Sequence, residues 1–261
     1  KIDQFISLPT FLLPITMADG YAIEAEGLTK DFGNVQALGG ASFRVKENEI
    51  YGLIGHNGAG KTTTLRILST LISATSGTAK VFGFDVDKQP HKVREILSYL
   101  PEEAGAYEQL NGIEFLEFMA GFYAKSKPEM AEIVEQGKII SDLGDRLNER
   151  VKGYSKGMKR RLLIARTLMM KPKLAILDEP TSGLDVIQSV NVRNMIKQYA
   201  DQEGVSILLS SHNMLEVEYM CHKVALINQG IVVAEGTPRG LIEEYGKQNL
   251  EEVFMEVTHV E

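Results

Sequence analysis

Residues Gly55 to Thr62 read GHNGAGKT, which places glycines, a lysine and a hydroxyl in the order G-x-x-x-x-G-K-T that a chain of phosphates requires. The glycines let successive backbone N–H groups turn inward, and the helix that follows adds the positive end of its dipole. Lys61 can reach the terminal phosphates and the Thr62 hydroxyl can ligate Mg²⁺. The residues expected to touch a nucleotide are therefore Gly55, His56, Asn57, Gly58, Ala59, Gly60, Lys61, Thr62 and Thr63. Charge-assisted hydrogen bonds of this kind contribute roughly 1.5 to 3 kcal/mol each, enough for the loop to dominate affinity.

A second group of chemical residues lies in LAILDEPTSGLD, Leu174 to Asp185. Asp178 ends an apolar run, where it can hold Mg²⁺ directly or through water, and Glu179 is the candidate general base for an attacking water. Adjacent carboxylates at a strand end also suit a solvated turn. The catalytic reading rests on the tendency of ligands to bind beyond strand ends in α/β sheets.

These residues need a sheet to carry them. Alternation in YAIEAEGL (Tyr21 to Leu28) and the apolar runs ASFRV (Ala41 to Val45) and IYGLIG (Ile50 to Gly55) predict early strands. A helical run starts at Gly60. Further strands are expected at LAILD (Leu174 to Asp178), SILLSS (Ser206 to Ser211) and VALIN (Val224 to Asn228), separated by helix-length segments. From about Asn111 to Gly153 the periodicity is helical, with no convincing strand. The expected fold class is α/β: a mostly parallel central sheet, an N-terminal antiparallel β portion and an inserted helical subdomain.

Composition narrows the function. The 261 residues carry 28 Lys and Arg against 35 Asp and Glu, a net charge of −7, which opposes nucleic acid as a partner. A single cysteine, Cys221, excludes an internal disulfide and reads as core packing, consistent with a cytoplasmic protein. The apolar patch from Phe5 to Ile15 contains two prolines and falls short of the roughly 20 residues a membrane helix needs, so no direct membrane insertion is expected. It also lacks the basic start of a signal peptide. Met17 would make a natural beginning, and residues 1–16 read as an upstream extension.

With these motifs in order, the chain from about Ile23 to Leu241 resembles the ATP-binding cassette of ABC transporters. The resemblance implies a P-loop NTPase fold, with an N-terminal extension over 1–20, the cassette over 21–245, its helical subdomain at about 104–160, and a C-terminal tail over 246–261. It implies ATP and Mg²⁺ as cofactors, Lys61, Glu179 and His212 as catalytic groups, and Phe32 as the aromatic that stacks on adenine, although Phe32 also suits an ordinary strand edge. YSKGM (Tyr154 to Met158) falls at the family's signature, where Ser155 and Gly157 keep the phosphate-binding donors while Tyr154, Lys156 and Met158 replace Leu, Gly and Gln. Asp185 corresponds to the D-loop aspartate. His212 corresponds to the switch histidine that contacts the γ-phosphate.

Glu102 stands where the family usually has Gln. A carboxylate there is a hard oxygen partner for Mg²⁺ or its water, and would repel the γ-phosphate without the metal. Lys156 reads either as a solvated lysine or as a cation that offsets Glu102 across a pair of cassettes. The implied partners are a second cassette, identical or paralogous, and a separate transmembrane permease. The permease would be met by the surface from Glu102 through NGIEFLEFMAGFYA, with the protein peripheral on the inner face of the membrane. Glu102, YSKGM and the C-terminal NLEEVFMEVT resemble the drug, antibiotic and ABC-2-type export branch. A soluble ABC ATPase such as an assembly factor, and a catalytically silent nucleotide switch, are the competing readings.

Overall fold

A computed structural model describes residues 20–258, so the expected N-terminal extension and the Phe5 to Ile15 patch lie outside the described residues. A four-stranded antiparallel sheet is built from β1 (Tyr21–Phe32), β2 (Val35–Lys46), β4 (Ser76–Val81) and β5 (Phe84–Asp85), in the order β2-β1-β4-β5. The second sheet has six strands in the order β10-β9-β3-β8-β7-β6. Its members are β3 (Ile50–Ile54), β6 (Leu97–Leu100), β7 (Leu174–Asp178), β8 (Ser206–Ser211), β9 (Lys223–Asn228) and β10 (Ile231–Gly236). All its pairings are parallel except β9 with β10. The mostly parallel sheet and the antiparallel N-terminal portion are thus as expected.

Strand β3 shows why the chain folds in layers. All five of its residues are buried, as parallel strands covered on both faces must be. Its two-residue period sends Ile50 and Ile54 into one core and Tyr51 and Leu53 into the other. The first core is closed by the helices α3 (Gly112–Ala120), α4 (Lys127–Ser141), α5 (Lys156–Leu168), α6 (Val186–Glu203), α7 (Met214–Met220), α8 (Pro238–Tyr245) and α9 (Leu250–Thr258). The second is closed by α1 (Lys61–Leu68), α2 (Pro90–Ile96) and the antiparallel sheet. Cys221 sits in the first core against Gly52, and burial pushes its thiol well above the usual range, as an inert packing residue should be.

The segment between β6 and β7 is helical among the described residues, matching its periodicity. A capping box, in which Asn111 and Glu114 satisfy each other's backbone N–H groups, starts α3. Ser126 caps α4 with a proline in the first turn. Other elements differ from the sequence reading. Strands β4, β6 and β10 escaped it because β4 offers only Ala79 and Val81 to the core and β6 and β10 lie at the two edges of their sheet. The segment read as a tail carries α9, with Leu250, Val253 and Phe254 buried.

Candidate functional site

The carboxyl ends of β3, β7 and β8 converge on one cleft. β3 delivers Gly55, and α1 begins at Lys61 after a loop that doubles back with Ala59 N–H donating to His56 O (3.2 Å). Gly60 has φ 106°, where L side chains are strained, and a Cβ there would lie 2.7 Å from Leu38 Cδ2 and 2.8 Å from Ala37 O. Gly60→Ala is therefore expected to cost about 2 kcal/mol or more. Urea unfolding measures the loss, and nucleotide affinity should fall with it.

The Lys61 ammonium lies inside the loop, its side chain 6% exposed. It donates to Gly55 O (2.7 Å) and His56 O (3.3 Å) and stands 3.3 Å from Glu179 Oε1. Thr62 Oγ1 donates to Asp178 Oδ1 (3.3 Å), which also accepts from Ser210 Oγ (2.6 Å), while Tyr99 OH donates to Asp178 Oδ2 (3.3 Å). Burial and the Asp178 charge push the Tyr99 phenol up to about 12, so it stays a donor at neutral pH.

Glu179 has φ 48°, a left-handed conformation that costs a non-glycine residue roughly 1 to 3 kcal/mol and is characteristic of functional sites. Its N–H donates to Ser210 Oγ (2.9 Å), and its Oε2 accepts from His212 Nδ1 (2.8 Å). Oε1 is buried and has no hydrogen-bond partner among the described residues, facing only the Lys61 charge. A free, buried carboxylate oxygen beside a lysine and a histidine can accept a proton from a bound water. Glu179, Ser182, Ser211, His212 and Asn213 line the adjoining cleft of about 350 Å³.

Thr62 and Asp178 offer the hard oxygen donors that suit Mg²⁺. Among the described residues no group of three or more His, Cys, Asp or Glu could hold a metal. The Thr62 hydroxyl and the Asp178 carboxylate, 3.3 Å apart, form a donor pair that would hold Mg²⁺ beside a nucleotide's phosphates.

The other expected site residues stand apart from this cluster. Glu102 is exposed and its Oε1 accepts from Ser182 Oγ (3.1 Å), so its carboxylate is engaged with the loop after Glu179, not with Thr62 or Asp178. Ser155 caps α5, accepting from Met158 N (3.2 Å), and Gly157 is packed so closely on Gln188 that a Cβ would lie 2.3 Å from its Oε1. Asp185 caps α6 by accepting from Gln188 N (2.8 Å). Phe32 is half exposed at the end of β1, with Lys30 Nζ 5.1 Å above its ring.

Arg160 escaped the sequence reading. Buried on α5, it donates from Nε to Pro180 O (2.7 Å), from Nη1 to Pro101 O (3.4 Å) and Glu102 O (3.1 Å), and from Nη2 to Asp178 O (2.9 Å) and Glu179 O. Burial pulls its pKa below the usual arginine range, partly offset by the charges of Glu102, Asp178 and Glu179. A signal for it was present: Gly157, Arg160, Ile164 and Thr167 form a stripe at helical spacing, all buried, into which one charge intrudes.

The profile of the family described as ABC transporter matches residues 38–182. The chain belongs to the ABC transporter family of ATP-binding proteins. It is 36% identical over 222 residues to the ABC transporter ATP-binding protein NatA of Bacillus subtilis (strain 168), covering 85% of this chain and 90% of the relative. Against the daunorubicin/doxorubicin resistance ATP-binding protein DrrA of Streptomyces peucetius, identity is 38% over 233 residues, 88% of this chain and 69% of the relative. The solved structure of an ATP-binding subunit of an ABC transporter superposes with a TM-score of 0.78 at 29% identity, covering 91% of this chain and 99% of that one. The ABC protein is thus a P-loop ATPase of the transporter class, and the expected fold class and activity hold.

Proposed function

We propose that this cassette powers export through a separate membrane permease, hydrolysing ATP between two cassettes. The observation that carries the catalytic part is the link from the buried pair Lys61–Glu179 to the half-exposed His212, beside Asp178 and Thr62. On this reading Lys61 and the loop N–H groups hold the β- and γ-phosphates. Glu179 takes a proton from water as its oxygen bonds to the γ-phosphorus and the bridge to the β-phosphate breaks, leaving ADP and phosphate. His212 orients Glu179 and bears on the γ-phosphate. Mg²⁺, held by Thr62, Asp178 and the phosphates, would neutralise charge that develops on the phosphate oxygens.

Ser155 and the N–H groups that open α5 lie at a helix start, with the positive end of its dipole. They serve the γ-phosphate bound by a second copy. Val186 and Ile187, 79% and 71% exposed beside Asp185, support a surface that another chain covers. ATPase activity per molecule is therefore expected to rise with protein concentration, and Ser155→Ala to lower it about 10- to 100-fold without weakening ADP binding to the loop. Constant specific activity down to nanomolar protein would refute the two-copy site.

The permease contact rests on an exposed aromatic group. Tyr107 and Phe118 meet edge to face at 5.2 Å, and Phe118 and Phe122 at 5.1 Å, with Phe122 67% exposed. No described helix is long and apolar enough to cross a membrane, and a peripheral placement on the inner face is part of the same proposal. The daunorubicin/doxorubicin resistance role of the relative DrrA favours drug-like export cargo. Domain limits of 21–245 for the cassette and about 104–160 for the helical subdomain are part of the same proposal.

A further inference from the structure

Helix α9 approaches the phosphate loop from outside the sheet. Its Leu250 and Val253 are fully buried, and Leu250 N–H donates to Glu218 Oε1 (2.8 Å) on α7, the helix that begins just after His212. Phe254 then sets its ring against His56, centroids 6.3 Å apart and planes at 72°. His56 is the second residue of the loop. Its Nδ1 donates to Asn57 O (2.7 Å), and its Nε2 lies 2.8 Å from the Asn228 side-chain amide. The Asn57 carbonyl belongs to the same planar peptide as the Gly58 N–H, so holding that carbonyl sets the direction of a phosphate-facing donor. Phe254, His56, Met214 and His212 line one cleft of about 280 Å³.

We propose that Phe254 is a positioning residue for the nucleotide, acting through His56 to hold the first turn of the phosphate loop. Helix α9 is then a working wall of the ATP site. The inference rests on the loop being that site. The ring contact is an edge-to-face arrangement, in which the edge of one ring meets the face of another, so losing it should loosen the loop without touching the chemistry.

The test is steady-state ATPase on the full chain. Phe254→Leu keeps apolar volume but removes the ring, and is expected to raise KM for ATP about three- to tenfold with kcat within about twofold. Phe254→Tyr should restore the wild-type KM. His56→Ala should raise KM as well, and the double variant His56→Ala/Phe254→Leu should be no worse than His56→Ala alone. Val253→Ala, buried on the same helix but absent from the cleft, should lower Tm and leave KM unchanged. Multiplicative effects in the double variant, or a KM rise in Val253→Ala equal to that of Phe254→Leu, would overturn the proposal. Absence of phosphate release by the wild-type protein would instead overturn the ATP-site reading beneath it.

Discussion

Glu179→Gln is expected to bind ATP with near-normal affinity and to release phosphate about 10²- to 10⁴-fold more slowly than the wild type. The amide keeps the shape of the side chain and can still accept from His212, so the 2.8 Å tie and the Glu179 N–H bond to Ser210 survive. What disappears is the basicity of Oε1, the one oxygen of this cluster that has no hydrogen-bond partner among the described residues. Lys61 loses its 3.3 Å counter-charge but keeps the Gly55 and His56 carbonyls, which makes it freer to turn to phosphates. Equilibrium binding of labelled ATP and single-turnover phosphate release separate the two effects. Wild-type turnover in this variant would remove Glu179 from the chemistry.

Arg160→Met is expected to damage folding and catalysis together. The guanidinium serves carbonyls of Pro101, Glu102, Asp178, Glu179 and Pro180, and methionine serves none of them. Leaving such buried acceptors unpaired should cost about 3 kcal/mol or more. For a chain of this size that lowers Tm by roughly 6 to 12 °C. Arg160 also holds the peptides on both sides of Glu179, whose φ of 48° persists only while its surroundings enforce it. kcat should therefore fall further than the unfolded fraction explains, and Arg160→Lys should recover part of the stability but little of the rate, because an ammonium cannot reproduce the planar fork. Calorimetry with ATPase assays well below Tm checks both parts. An unchanged kcat in a folded Arg160→Met would refute the bracing role.

Much of the site was legible where one short segment supplies all of its chemistry. GHNGAGKT carries the turn, the cation and the hydroxyl within itself, and LAILDE carries both carboxylates and the apolar run that buries them, so local spacing located both. Ser210 shows the limit. It reads as one more small residue in SILLSS, yet its hydroxyl joins Asp178 to the Glu179 backbone, a contact made only because β7 and β8 pair in that register. Tyr99 was hidden for the same reason, on an edge strand too short to show a period. Glu102 was read by position in a motif, and its hydrogen bond to Ser182 depends on where Arg160 pins the Glu102 backbone, a relation spanning most of the helical segment. Phe254 looked like part of a tail because nothing local to NLEEVFMEVT names the loop it leans on.

Helix α5 carries Ser155 and Gly157 at its first turn and Arg160 about one turn later. In the proposed pair, the end of this helix that grips the neighbour's γ-phosphate is mechanically continuous with the arginine that aims the chain's own general base. A load on one copy's nucleotide would thereby reach the neighbour's carboxylate, and linkage makes the coupling between the two copies' nucleotide affinities reciprocal. Velocity in such a pair is expected to rise sigmoidally with ATP, and a pair with one Arg160→Met copy is expected to lose more than half its rate.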